Sequence, residues 1–263
     1  LNLIISLQIS FLFLILFFKN NNYLNKLLAV VVIIPVVGFS FNVLDILDVL
    51  PPMLFGVIYF VNFTIIFLFA PLLFYYISLM CGNKISIKHP VFIITGIIFL
   101  YVIYGIINFI FLDEVTKENY VAFIKSNDFP REALLLSILF FIMQQIYFTL
   151  SAIKIYKFKK RVLNIFSSRS NVKVEFTNRL IIIAWSANII SLVMYVFMPM
   201  RFVEFVMMPI VMFVVTNFIY YYAFEHQVVF EEETYQIFLK DLELIKTSYD
   251  ISDEERERRK KAV

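Results

Sequence analysis

The chain has 263 residues, of which 61% are hydrophobic and only 16% charged, with a formal net charge of +3. Charged residues supply about a quarter of an ordinary soluble domain, and this much apolar side chain cannot be hidden in one soluble core of this length. A single cysteine, Cys81, excludes an internal disulfide and a thiolate metal cage.

Seven apolar stretches run along the sequence: Leu1–Phe18, Leu27–Asp48, Met53–Met80, Val91–Leu112, Ala133–Ile153, Leu180–Pro199 and Phe205–Phe224. Each is near the ~20 residues that a helix needs to cross ~30 Å of hydrocarbon. The expected fold is therefore all-α: a polytopic bundle of seven transmembrane helices over residues 1–224, followed by a short cytoplasmic helical segment, 225–263. The chain starts at Leu1 with no charge before the first stretch and no small-residue cleavage site after it, which argues against a removed signal peptide.

The connections alternate in basic content. The first carries Lys19 and Lys26, the third Lys84 and Lys88, and the fifth eight Lys and Arg residues between Lys154 and Arg179. The second carries none, the sixth only Arg201, and the fourth has Lys117, Lys125 and Arg131 diluted by acids. Short basic loops stay cytoplasmic. A multi-pass membrane protein follows, with the N-terminus outside and the C-terminus inside.

Pro35, Pro71 and Pro209 fall inside the spans, where a missing backbone donor predicts kinks. Pro51-Pro52 makes a tight outer turn. In the fourth connection, Tyr120, Val121, Phe123 and Ile124 suit a short surface helix. The fifth interleaves basic and apolar residues, either as a topology signal or as a segment lying on anionic headgroups. Within it, Ser170 and Lys173 have SxxK spacing but sit away from any apolar pocket, and the spacing is read as chance.

After the last span, Tyr235, Phe238, Leu242, Ile245 and Tyr249 recur at spacings of three and four, placing one apolar stripe on a helix. Two readings are open. The stripe is the seam of a short coiled coil that makes a homodimer, or it packs on the cytoplasmic ends of the bundle. Ser252 to Glu255 has a capping-box pattern. The RERRKK run that follows is charge without a reading helix, so no direct nucleic-acid binding is expected.

Chemistry is sparse. His89 and His226 have no carboxylate cluster or HExxH around them, and no Gly-rich phosphate loop or nucleophile elbow occurs. The chain is expected not to be an enzyme and to hold no metal or cofactor. Asn42, Asp45 and Asp48 are spaced to share a helix face near the outer surface, either as a polar pocket for a cation or small ligand or as an interfacial cap near Arg201. Deeper, Gln144, Gln145, Trp185 and Asn188, with Asn62 and Asn217, can hydrogen-bond across helices as structural glue or line a ligand site.

Two stretches, FAPLLFYYISLMCGNKISIKHPVFIITGIIFL and NFIYYYAFEHQVVF with the tail after it, are similar to the membrane portion of membrane-anchored AraC-type transcriptional regulators of Bacteroidetes-like bacteria. Ala70 stands where that family's motif has Gly, and Pro90 and Phe92 are displaced. The resemblance implies a sensory or anchoring domain of a bacterial inner membrane, whose last helix passes a conformational signal to a cytoplasmic output. The helix-turn-helix domain of that family is absent up to Val263. Similar inputs precede membrane histidine kinases, and a small-solute transporter using Asp45, Asp48, Gln144 and Gln145 is the rival from another class.

Overall fold

The computed structural model describes residues 1–18, 23–82, 90–125, 131–162, 168–198, 202–225, 233, 236–244 and 247. Among them every regular element is helical: α1 (Asn2–Phe18), α2 (Tyr23–Ile46), α3 (Pro52–Phe67), α4 (Phe69–Met80), α5 (Pro90–Ile110), α6 (Glu114–Lys125), α7 (Arg131–Val162), α8 (Ser168–Phe197), one π-helical turn (Val203–Met207) and α9 (Met208–Glu225). A tail helix covers 236–244.

Among the described residues five stretches, not the expected seven, are long and apolar enough to cross a membrane: Tyr23–Ile46, Pro52–Met80, Ile138–Lys160, Lys173–Met194 and Phe205–Tyr222. The reason is length. Helix α1 has 17 residues, about 25 Å at 1.5 Å each, short of ~30 Å of hydrocarbon. Of the 21 residues of α5, Thr95–Ile110 form a shorter apolar stretch.

The prolines act differently from one another. Pro71 lacks the N–H that would bond the Phe67 carbonyl, and its ring crowds that same carbonyl. The long third stretch accordingly breaks into α3 and α4 at Leu68, whose N–H turns back to Ile65 O at 3.0 Å. Pro209 follows directly on the π-helical turn, one of the known ways a helix absorbs a disrupted ladder. Pro35 does not interrupt α2. Pro51 and Pro52 open α3, Pro52 at the first helical position, where no N–H is needed.

Long-range contacts sort the connections into two ends. At one end, Lys125 at the close of α6 reaches Asp48 in the α2–α3 turn, and Val121 joins Phe41, Phe55 and Phe109 in an aromatic cluster. At the other, Met80 and Cys81 of the α4 exit, Phe158 of α7, Val174 of α8 and Phe238 and Leu242 of the tail share the main core. Helix α5 runs from Thr95, which hydrogen-bonds Tyr147 at 2.5 Å beside Phe74, to Phe109, which packs at the Asp48 end. Helices α7 and α8, of 32 and 30 residues, are much longer than the spans expected for them. The basic connection between them shrinks accordingly.

The outer faces are apolar. Leu3, Leu7 and Phe11 of α1 and Ile93, Ile97 and Leu100 of α5 are exposed, as side chains in contact with lipid tails would be. Packing between α3 and α5 depends on one glycine. A Cβ on Gly56 would lie 2.2 Å from the Phe109 ring, far inside van der Waals contact. Gly56→Ala is expected to lower thermal stability in detergent by about 1–3 kcal/mol, and adding Phe109→Leu should restore part of it; a Gly56→Ala melting curve equal to wild type would contradict this packing.

Candidate functional site

The α7–α8 seam carries the densest polar arrangement away from the ends. Trp185 Nε1 donates to Gln145 Oε1 at 2.7 Å, Gln145 Nε2 donates to Asn188 Oδ1, and Asn188 Nδ2 donates to Gln144 Oε1. The spacing explains the chain of bonds. Trp185 and Asn188 are three apart on α8 and so share a face, which meets the adjacent pair Gln144-Gln145 on α7. Both ends of the Gln145 and Asn188 amides are engaged, so all four expected residues are brought together as a bridge between two helices. Side-chain amides buried in lipid need such partners, because hydrocarbon offers none.

The other expected group does not assemble as a face. Helix α2 ends at Ile46, and Asp48 lies beyond it with φ of 51°, in the left-handed region. Its N–H bonds Asp45 O at 3.1 Å, so Asp48 closes the helix end rather than standing one turn above Asp45. Asn42 and Asp45 remain on α2 and are half-buried. The cation facing Asp48 is Lys125, at 2.5 Å; Arg201, expected there, is outside the described residues. The Lys125 ammonium also stands 5.0 Å from the Phe55 ring centroid. This contact borders the aromatic cluster, where Tyr120 packs against Phe60 and Phe109.

Helix α6 starts on Asp113, which accepts from the Thr116 N–H at 3.0 Å and from the Thr116 hydroxyl at 2.6 Å. These bonds hold the Asp113 carboxyl below the ordinary carboxylate range. Residues 120–124 form part of this helix as expected, and Tyr120 and Val121 turn inward.

At the opposite end, the tail helix is inserted into the bundle. Phe238 is 0% exposed and belongs to the main core, with Leu242 beside it. Gly82 lets Leu242 approach: its φ is +72°, and a Cβ there would stand 3.2 Å from Leu242 Cδ2. Of the five stripe residues, Phe238 and Leu242 therefore face their own bundle, whereas Tyr235, Ile245 and Tyr249 lie outside the described residues. Lys173 departs most from expectation. Rather than lying in an exposed loop, it is on α8, 1% exposed, with its ammonium 6.0 Å from the Phe238 ring centroid. Asp241, three residues after Phe238 and so on the same face, is buried too.

Sequence reading missed Ser78, Lys154, Lys125 and the buried Lys173. Lys125 and Asp48 are 77 residues apart, and no local pattern couples them. Asn217 accepts from Gln8 at 3.3 Å at an exposed place, and Asn62 lies on α3 facing Gly38 of α2, apart from the α7–α8 bridge. His89 and His226 are outside the described residues, among which no group of three potential metal ligands occurs. The chain matches no protein-family model, no curated protein and no solved structure.

Trp185 is the single tryptophan, so its emission reports the bridge directly. Gln145→Leu is expected to shift that emission to the blue and to lower stability by about 0.6–2 kcal/mol; unchanged emission would show that the indole bond is not made. The Asp48–Lys125 contact has a pH signature. The Lys125 hydrogen bond and charge lower the Asp48 pKa, so the contact is complete above the ordinary carboxylate value of about 3.9. It is lost as pH falls through the lowered value. Followed by NMR, the Asp48 carboxyl should titrate below that ordinary value in the wild type and move up in Lys125→Gln; an Asp48 midpoint unchanged by Lys125→Gln would refute the assignment.

Proposed function

We propose that the chain is a sensory or anchoring membrane domain that passes a conformational change in its helical bundle to the cytoplasmic tail, of the kind its resemblance to membrane-anchored AraC-type regulators implies. The observation that carries this reading is the complete burial of Phe238 within the main core. A tail that shares its core with α4, α8 and α9 cannot keep its place if those helices move. Coupling can be no larger than the difference in free energy with which a stimulus favours one helix arrangement. The Trp185–Gln145–Asn188–Gln144 bridge makes α7 and α8 a stiff pair reaching toward that core.

The crossing number belongs to the same proposal. The tail end gathers the α4 exit near Lys84 and Lys88, the α7–α8 connection and the tail, while the Asp48 end is poor in lysine and arginine. Placing the tail end in the cytoplasm satisfies the basic-loop rule at every connection only if α5 crosses. Over its full 21 residues α5 is about 31 Å long. A transporter has less support, because the amides that would line its path are bonded to one another.

Two measurements test the proposal. Reporter fusions after residue 244 should be active only in the cytoplasm. Removing the buried ring in Phe238→Ala costs about 3 kcal/mol or more, on the order of a hundredfold in the docking equilibrium. Protease cleavage within 236–244 should rise accordingly, whereas Leu244→Ala, exposed in the structure, should leave it unchanged. A tail exported to the far side, or equal cleavage in wild type and Phe238→Ala, would reject the reading.

A further inference from the structure

Helix α7 changes chemistry along one exposed stripe. Ile142, Ile146 and Ile153 share a face and are 51%, 44% and 44% exposed. Further along, Tyr156 is 68% exposed, and Lys157 and Lys160 beyond it are also exposed. Aliphatic side chains suit hydrocarbon, a tyrosine suits the interface, and lysines suit the headgroup layer. The hydrocarbon boundary therefore falls in the single turn between Ile153 and Lys157.

Lys154 lies in that turn and is directed toward α4. Its ammonium donates to Ser78 Oγ at 2.8 Å and stands 4.9 Å from the Phe74 ring centroid, with the Cys81 thiol also near. The Ser78 hydroxyl spends its own proton on Phe74 O at 2.7 Å, so it can only accept from the lysine. These groups position the ammonium without neutralising it, and among the described residues no carboxylate lies within ion-pair distance of Lys154. An ammonium has three donors, and Ser78 takes one. A half-buried cation at the boundary of a membrane is costly without a counter-charge, and the abundant anion at that depth is a lipid phosphate.

We propose that Lys154, with Lys157 one turn further along the same face, binds the phosphate of an anionic phospholipid at the tail end of the α4–α7 seam, its acyl chains lying along the isoleucine face of α7. Phosphate chemistry is shared by a lipid headgroup and by free phosphate; the isoleucine stripe favours the lipid. The assignment is independent of the signalling proposal, since it needs only that the tail end of α7 meet a leaflet.

The full chain reconstituted in nanodiscs of equal phosphatidylcholine and phosphatidylglycerol, re-extracted and analysed by mass spectrometry for retained lipid, tests it. Wild type should retain phosphatidylglycerol in excess. Lys157→Gln, a change at an exposed residue, should reduce that excess about fivefold, the effect of one basic residue near an anionic surface. Lys154→Gln should reduce it at least as much, and Lys154→Arg should retain it. Equal retention of the two lipids by wild type, or an excess unaffected by both glutamine variants, would overturn the proposal. Displacement of phosphatidylglycerol by millimolar inorganic phosphate would assign the site to the free anion and overturn the lipid assignment.

Discussion

Burial of the tail helix against the main core and Lys173 organises the tail end. A lysine with 1% of its surface exposed is tolerated only where its ammonium is compensated, because transfer of a charge out of water is costly. Phe238 supplies a ring face 6.0 Å from that ammonium, and its neighbour Asp241 is buried on the same side of the tail helix. Lifting the tail away would expose Phe238 and Leu242 to water and open the main core from below. Lys173 is itself anchored: the Thr177 hydroxyl bonds the Lys173 carbonyl at 2.9 Å, and Phe176 beside it stacks on Phe218 of α9. The tail is thus fixed to α8, one of the two helices that carry the polar bridge higher in the bundle.

The two ends of the molecule use different physics. The Asp48 end is held by aromatic packing and one ion pair at the rim, where water screens charge and an exposed pair contributes little; α6 stays there chiefly through Tyr120 and Val121. The tail end is held by burial, with Phe238, Leu242, Phe176 and Tyr222 in one continuous core. A disturbance at the Asp48 end can therefore shift α6 at small cost, whereas the tail moves only if α8 or α9 moves with it. That asymmetry is what a membrane input connected to a cytoplasmic output requires, and it underlies the functional proposal.

The sequence was most informative where lipid imposes strict rules. Apolar stretches located α2, α3–α4, α7, α8 and α9, because hydrocarbon permits few exceptions to apolar outer faces. The four residues of the α7–α8 bridge were legible as polar outliers in an apolar background, and Pro71 identified the break that separates α3 from α4. What was not legible depends on distance in sequence. Nothing local says that Asp48 leaves the helix, since the residue that faces it is Lys125. Lys173 reads as one more positive charge in a basic loop, and only the extension of α8 back to Ser168 and the docking of Phe238 turn it into an interior residue. The expected seven-span count gave way to five among the described residues, the apolar stretches of α1 and α5 being the two shorter ones.

Amide hydrogen exchange on the full chain in nanodiscs measures the docked tail most directly. If the tail shares a core with the bundle, the amides of 236–244 will exchange as slowly as those around Phe176 on α8, and together with them when the bundle is destabilised. Exchange of 236–244 at the rate of an unstructured peptide, while α8 stays protected, would contradict the account.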